Sequence, residues 1–250
     1  MMKYLNVCAV LFTILNVTAV ISGGGKYDCT TSVFPKSCLP TRVQTIEIEG
    51  EAPFSVACDS VSAGIGWTVI QRRTDGSVDF FRNWSEYAEG FGTPDGEYWI
   101  GLQKLHRMTN NQRHELYVKL VDQSGEVRYA RYDNFVIGSE GDKFRLVSTG
   151  QYSGNAGDSL KGHVGNSFTT KDQDNDSHPK TNCAIALTGG WWYFHCGDSN
   201  LNGFSFDCQM EKSNKLERNG CIYWNHWHGR SYSMKSVQMM IRPFEAENPS

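Results

Sequence analysis

FTTKDQDNDSHPKTNCAIALTGGWWYFHC, residues 168–196, is the stretch whose reading decides the fold. Asp172, Asp174 and Asp176 recur at every second position. In a tight loop that spacing turns carboxylates and main-chain carbonyls onto one point, which suits a hard, oxygen-seeking cation such as Ca2+. An exposed polar turn accounts for the same residues, since Asp and Asn are common in turns. The Gly and Glu that a helix-loop-helix calcium motif places after such acids are missing, so any calcium loop here is of another kind. Downstream, Cys183 and Cys196 bracket Gly189, Gly190, Trp191, Trp192 and Tyr193. A disulfide between cysteines this close closes a short loop and constrains the unfolded chain by roughly 3 kcal/mol.

Working outward, residues 1–22 read as a secretory signal. Lys3 is followed by an apolar run over 7–21 and then by Ser22, Gly23, Gly24 and Gly25. The run is short for a membrane span, and no second one follows. Residues 23–250 are then expected to form one secreted, extracellular domain. Seven cysteines remain outside the signal, an odd number, which points to one thiol bridging to another chain. Asn83-Trp84-Ser85 and Asn175-Asp176-Ser177 are glycosylation sequons; Asn83 is the expected acceptor, because a glycan on Asn175 would crowd the acidic loop. A net charge of −3 gives no basis for nucleic-acid or anionic-membrane binding, while 39% hydrophobic residues suffice for a real core.

The coarse pattern is α+β. Strands are expected at 45–49 (TIEIE), 54–58, 66–73, 116–121, 127–132, 135–137, 144–148 and 235–242. Helices are expected at 80–90, closed by Gly90, and at 102–111. Residues 150–235 are loop-rich, a length that calls for staples or function. No G-x-S-x-G, H-E-x-x-H or phosphate loop occurs, so no enzyme is expected. His226 and His228 would share one face if their segment were a strand, yet two histidines make a weak zinc site. Trp191 and Trp192 read as core rather than sugar platforms.

Islands in order along residues 27–244 carry a resemblance: PFSVACD, GWTVIQRRTDGSVDFFRNWSEYAEGFG, GEYWIGL, RYARYDNF, YSGNAGDSL, DQDND, GGWWY, SNLNG and YSMKSVQMMIRP. The chain resembles the fibrinogen C-terminal domain family, which includes ficolins, tachylectins, angiopoietins and insect fibrinogen-related proteins; the islands look most like the insect and horseshoe-crab members. The resemblance implies a central antiparallel sheet, short helices and a loop-rich calcium and recognition part. It implies disulfides Cys29–Cys58 and Cys183–Cys196, and leaves Cys38 as the odd thiol, available for a disulfide-linked homo-oligomer. A bridge between Cys208 and Cys221 is expected in addition.

By position, the family's calcium ligands fall on the side chains of Asp174 and Asp176 and the carbonyls near His178 and Lys180, with Asp172 outside them. The His195–Cys196 peptide resembles the family's cis bond. The ligand pocket of the acetyl-binding members falls on Leu187, His195, Gly197, Glu217, Arg218 and Arg230. Leu187 and Arg230 stand where those lectins have aromatics, Gly197 where they have His, and Glu217 and Arg218 where they have Tyr-Ala. Such a pocket suits charged or hydroxylated groups better than an acetyl methyl. The implied function is a calcium-dependent lectin binding surface glycans in innate immunity. The alternatives are a signalling or adhesion ligand for a protein receptor, and a structural component associating through Cys38.

Overall fold

The computed structural model describes residue 29 and residues 41–48, 50–204 and 220–244. Its elements run β1 (Thr41–Ile46), β2 (Phe54–Asp59), β3 (Trp67–Arg73), α1 (Trp84–Glu89), β4 (Phe91–Gly92), β5 (Tyr98–Trp99), α2 (Leu102–Asn111), β6 (His114–Val121), β7 (Val127–Tyr132), β8 (Val136–Ile137), β9 (Leu146–Ser148), β10 (Tyr152–Gly154), α3 (Cys183–Ala186), β11 (Ser199–Asn200), β12 (Tyr223–Trp224), α4 (Asn225–His228) and β13 (Ser236–Pro243).

A nine-stranded antiparallel sheet in the order β1-β2-β3-β13-β6-β7-β10 is the frame, with β5 added beside β3 and β4 beside β5. β13 lies between β3 and β6, so the strand latest in sequence among the described residues joins the two halves of the sheet. In β6, Leu116, Val118 and Leu120 are buried while Tyr117 and Lys119 are half-buried, the period-2 signature of a strand with one dry face. β3 is buried at every position. In β13, Met239 and Met240 are adjacent and both buried. A register shift between them against β3 interrupts the alternation at that point.

α2 occupies the expected residues, and its buried Leu102, Leu105 and Met108 recur at helical spacing. α1 is shorter than the expected 80–90 helix. It begins at Trp84, and the main-chain N–H of Asn83 donates to Glu86 Oε2 at 2.9 Å. Phe80, expected on the helix face, lies before it and is buried under Arg73, whose guanidinium carbon sits 3.9 Å from the ring centroid. β1 also runs earlier than the expected 45–49, because its register pairs Thr41 through Ile46 with Asp59 through Phe54.

Disulfides join Cys29 to Cys58 and Cys183 to Cys196, as the family resemblance implied. Cys221 is also disulfide-bonded; Cys208, its expected partner, lies outside the described residues. The signal segment and Cys38 lie outside them too. Among the described residues no helix is long and apolar enough to cross a membrane.

Candidate functional site

The segment 168–204 is seated on the sheet by buried polar side chains. From β3, Gln71 Nε2 donates to Leu201 O (2.8 Å) and Asn202 Oδ1 (3.1 Å), and Arg73 Nη1 donates to Gly203 O (2.6 Å). Asn202 Nδ2 reaches Gly190 O, and Asn200 Nδ2 reaches both Leu187 O and Cys221 O. These asparagines are fully buried. They replace regular secondary structure as the partners of main-chain carbonyls, which a buried loop must find somewhere. The double Trp is core, as read: Trp192 packs against Phe168 and Trp99 and donates from its indole to Phe144 O at 2.8 Å.

At the acidic loop, Asp172 faces α1: its Oδ1 accepts from Trp84 N (2.9 Å) and Thr170 Oγ1 (2.7 Å). Asp174 is exposed, and its Oδ1 accepts from Asp176 N at 3.3 Å. Asp176 is half-buried, with Oδ1 accepting from His178 N and Oδ2 from Cys183 N, both at 2.8 Å. Burial pushes the Asp176 carboxyl above its ordinary value, and the charge of Asp174 adds to the rise against the two main-chain donors. Among the described residues nothing donates to the carbonyl oxygens of His178 or Lys180. Two clustered carboxylates and free carbonyls form an all-oxygen donor set, the chemistry that fits Ca2+. No cluster of three or more His, Cys, Asp and Glu able to hold a metal occurs among the described residues, so most of the coordination would fall to carbonyls and water. In the neighbouring sequon, Asn175 Nδ2 donates inward to Phe168 O at 2.8 Å, whereas Asn83 is exposed.

The expected pocket residues divide. Leu187 is the half-buried cap of α3, and His195 is exposed with its ring 5.8 Å from that of His178. Glu217 and Arg218 lie outside the described residues. Arg230 is 54% exposed and bonded to Asp198 Oδ1 at 3.0 Å, where Asn225 Nδ2 also donates. Gly197 O accepts from Tyr223 OH at 3.2 Å. Gly197, Asp198, Tyr223 and Arg230 therefore adjoin, with Leu187 joined to them through Asn200 and Cys221.

The His195–Cys196 peptide is trans, correcting the expected cis bond: the chain turns instead through left-handed conformations at Cys196 (φ 61°) and Gly197 (φ 88°). Gly197 is required there, since a Cβ would lie 2.2 Å from His163 Cε1. The expected strand at His226 and His228 is the helical turn α4, and the two rings part company. His226 Nδ1 meets Ser159 Oγ at 2.9 Å; His228 Nε2 meets Asp122 Oδ2 at 3.2 Å.

Two features escaped the sequence reading. His163, far from the motif in sequence, lies buried beneath the Gly197 turn. Phe204, the last residue of SNLNGF, is 63% exposed beside Thr188, whose hydroxyl accepts its N–H, while Ile185 nearby in the chain is 44% exposed. The run SNLNGF itself was the available signal: an aromatic after a turn with no apolar periodicity around it.

Residues 27–244 match the family model described as fibrinogen beta and gamma chains, C-terminal globular domain. Angiopoietin-related protein 6 of Mus musculus is 45% identical over 193 residues, covering 77% of this chain and 41% of that protein. The fibrinogen-like globe domain of human ANGPTL6 superposes with a TM-score of 0.78 at 39% identity, covering 91% of this chain and all of that one. Lamprey fibrin D-dimer, complexed with the peptide ligand Gly-His-Arg-Pro-amide, superposes with a TM-score of 0.76 at 32% identity over 86% of this chain and 72% of that one. These relatives are vertebrate chains rather than the invertebrate lectins that the islands resembled, and this chain spans less than half the length of the mouse protein. The chain belongs to the family of the fibrinogen C-terminal globular domain.

Proposed function

We propose that this domain is a non-enzymatic recognition module that binds a protein or peptide partner from the extracellular side, with calcium holding the acidic loop. The observation that carries this reading is that Arg230 is engaged by Asp198 beside Gly197, at positions where the family resemblance implies that Leu187 and Gly197 replace the aromatic and the His of the acetyl-binding members. Exposed Phe204 and Ile185 supply the apolar anchors on which protein interfaces concentrate their energy. The likeness to an angiopoietin-related protein and to a fibrin fragment solved with a peptide supports a protein ligand over the glycan that the motif islands implied. The test is binding of the recombinant domain to cells after protease or glycosidase treatment. Loss after protease alone, and at least tenfold weaker binding by Phe204→Ala, is the expected result. Binding that glycosidase removes and free acetylated sugars compete away would return the lectin reading.

Calcium is proposed to bind Asp174 and Asp176 with the carbonyls of His178 and Lys180, supplying a fixed positive charge that relieves the carboxylate repulsion and pins the loop joined to Cys183. At calcium about a hundredfold above Kd the linkage stabilises by about 3 kcal/mol, or about 5–10 °C in Tm for a domain of this size. Asp176→Ala is expected to abolish that shift. A calcium response undiminished in the variant would move the site elsewhere.

A further inference from the structure

His178 and His195 stand on two loops that the chain locks together. Ser177 N donates to Phe194 O at 3.2 Å, which sets the two segments side by side at the residues just before the histidines. Asp176 anchors the first loop, its Oδ1 accepting from His178 N and its Oδ2 from Cys183 N. The disulfide from Cys183 to Cys196 anchors the second, one residue beyond His195. Pro179 fixes φ directly after His178. Main-chain bonds and a covalent bridge therefore hold both backbones, while the imidazoles project from them, half-buried at His178 and exposed at His195.

The ring centroids lie 5.8 Å apart, with the planes inclined at 70°. Two imidazoles bound to one tetrahedral ion through nitrogens at about 2.0–2.1 Å place their centroids roughly 5 Å apart. The gap to that geometry is about 1 Å or less, within reach of a rotation of the exposed His195 side chain. Among the described residues nothing hydrogen-bonds to the His195 ring, and His178 uses only Nδ1, which accepts from Lys180 N at 3.4 Å. That contact is long, so coordination through Nε2, with the ring proton moved to Nδ1, gives up little. Neither ring serves the calcium reading, which uses the His178 carbonyl, and neither belongs to the Asp198–Arg230 pair.

We propose that His178 and His195 form a site for an imidazole-seeking divalent transition ion, of the class of Zn2+, Ni2+ and Cu2+, bound by the two ring nitrogens and completed by water. Such ions take neutral imidazole as a ligand, whereas Ca2+ and Mg2+ seek oxygen. No third His, Cys, Asp or Glu completes a metal-holding cluster among the described residues. The remaining positions of the ion therefore stay open to water or to a donor atom from a partner. Bound there, the ion cross-links the acidic loop to the turn at Cys196. The site is separate from the calcium proposal, because side-chain nitrogens rather than carboxylates and carbonyls make its bonds.

The test is a Zn2+ titration of the full chain in excess Ca2+, read on the imidazole resonances of all seven histidines, in wild type and in His195→Gln. Excess Ca2+ competes for the oxygen donors of the acidic loop and leaves the nitrogens to Zn2+. Saturable shifts of the His178 and His195 rings together are expected. Their midpoint should fall on the order of 100 μM Zn2+, since two protein ligands are fewer than the three or four of tight zinc sites. His195→Gln removes one ligand without removing a hydrogen bond. It should raise the midpoint at least tenfold, the least that losing even an outer partner costs a metal site. Mg2+ in place of Zn2+ should move neither ring. His226→Gln, altering an exposed ring bonded to Ser159, should leave the midpoint unchanged. The proposal is overturned by no saturation, by shifts confined to one of the two rings or to other histidines, by an equal midpoint in His195→Gln, by a midpoint that His226→Gln moves, or by an equal response to Mg2+.

Discussion

Glu97→Ala is expected to destabilise the domain by about 3–5 kcal/mol, the range for removing one partner from a buried ion pair. Glu97 is buried, with Oε1 accepting from Thr74 N (2.6 Å), Asp75 N (3.0 Å) and Gly76 N (3.0 Å), and Oε2 from Val78 N (3.2 Å). It also stands 3.8 Å from Arg73 Nε, and Arg73 is itself 1% exposed. One carboxylate thus caps the turn after β3 and balances the guanidinium that holds Gly203. Removing it strands four main-chain donors and leaves a buried cation without its carboxylate. Denaturant unfolding followed by tryptophan fluorescence reads the loss as a lowered midpoint. Glu126→Ala, whose Arg128 pair is exposed on both sides, should cost at most about 1 kcal/mol. Equal effects from the two variants would sink the argument that burial makes the difference.

His163→Gln is expected to flatten the acid side of the stability profile. His163 is fully buried, with Nδ1 2.7 Å from Trp192 O and Nε2 facing Asp198 N (3.0 Å) and Ser199 N (3.1 Å). Two N–H groups pointing at Nε2 require a lone pair there, so the ring is neutral with its proton on Nδ1. Burial is the main force holding the folded-state pKa down to about 4, from 6.5. The sign follows from proton counting. Between pH 6.5 and 4 the unfolded chain binds a proton that the folded chain refuses, so stability is full above about 6.5 and falls steadily until about 4. The loss sums to about 3 kcal/mol. It would loosen the Gly197–Ser199 turn first, because both N–H groups that His163 Nε2 accepts belong to that turn. The readout is the wild-type minus variant difference in unfolding free energy across that window, with imidazole NMR reporting the ring directly. A His163 ring that titrates near 6.5 would refute the account.

Much of the frame was legible in residue order because local rules govern it. α2 and β7 fall on the expected residues, since apolar spacing alone defines a buried helical stripe or a strand face. Gly90 marked the end of α1, but its start was overestimated because Phe80 and Phe81 carry helical spacing while Phe80 packs under Arg73. The islands PFSVACD to YSMKSVQMMIRP identified the family, and with it both the Cys29–Cys58 and Cys183–Cys196 pairings.

By itself, then, the sequence determined the family and the strands and helices whose hydrophobic period is strong. Those are properties of neighbouring residues, or of motifs long enough to be specific. Only the tertiary structure decided what the long loop does with its polar groups. Gln71 and Arg73 reach about 130 residues along the chain to Leu201–Gly203, Gly197 is demanded by His163, and His226 and His228 are separated by a helical turn. His178 and His195 face each other because Ser177 N bonds to Phe194 O between two loops. Burial and pairing between distant segments decide each of these, and neither is a function of spacing along the chain.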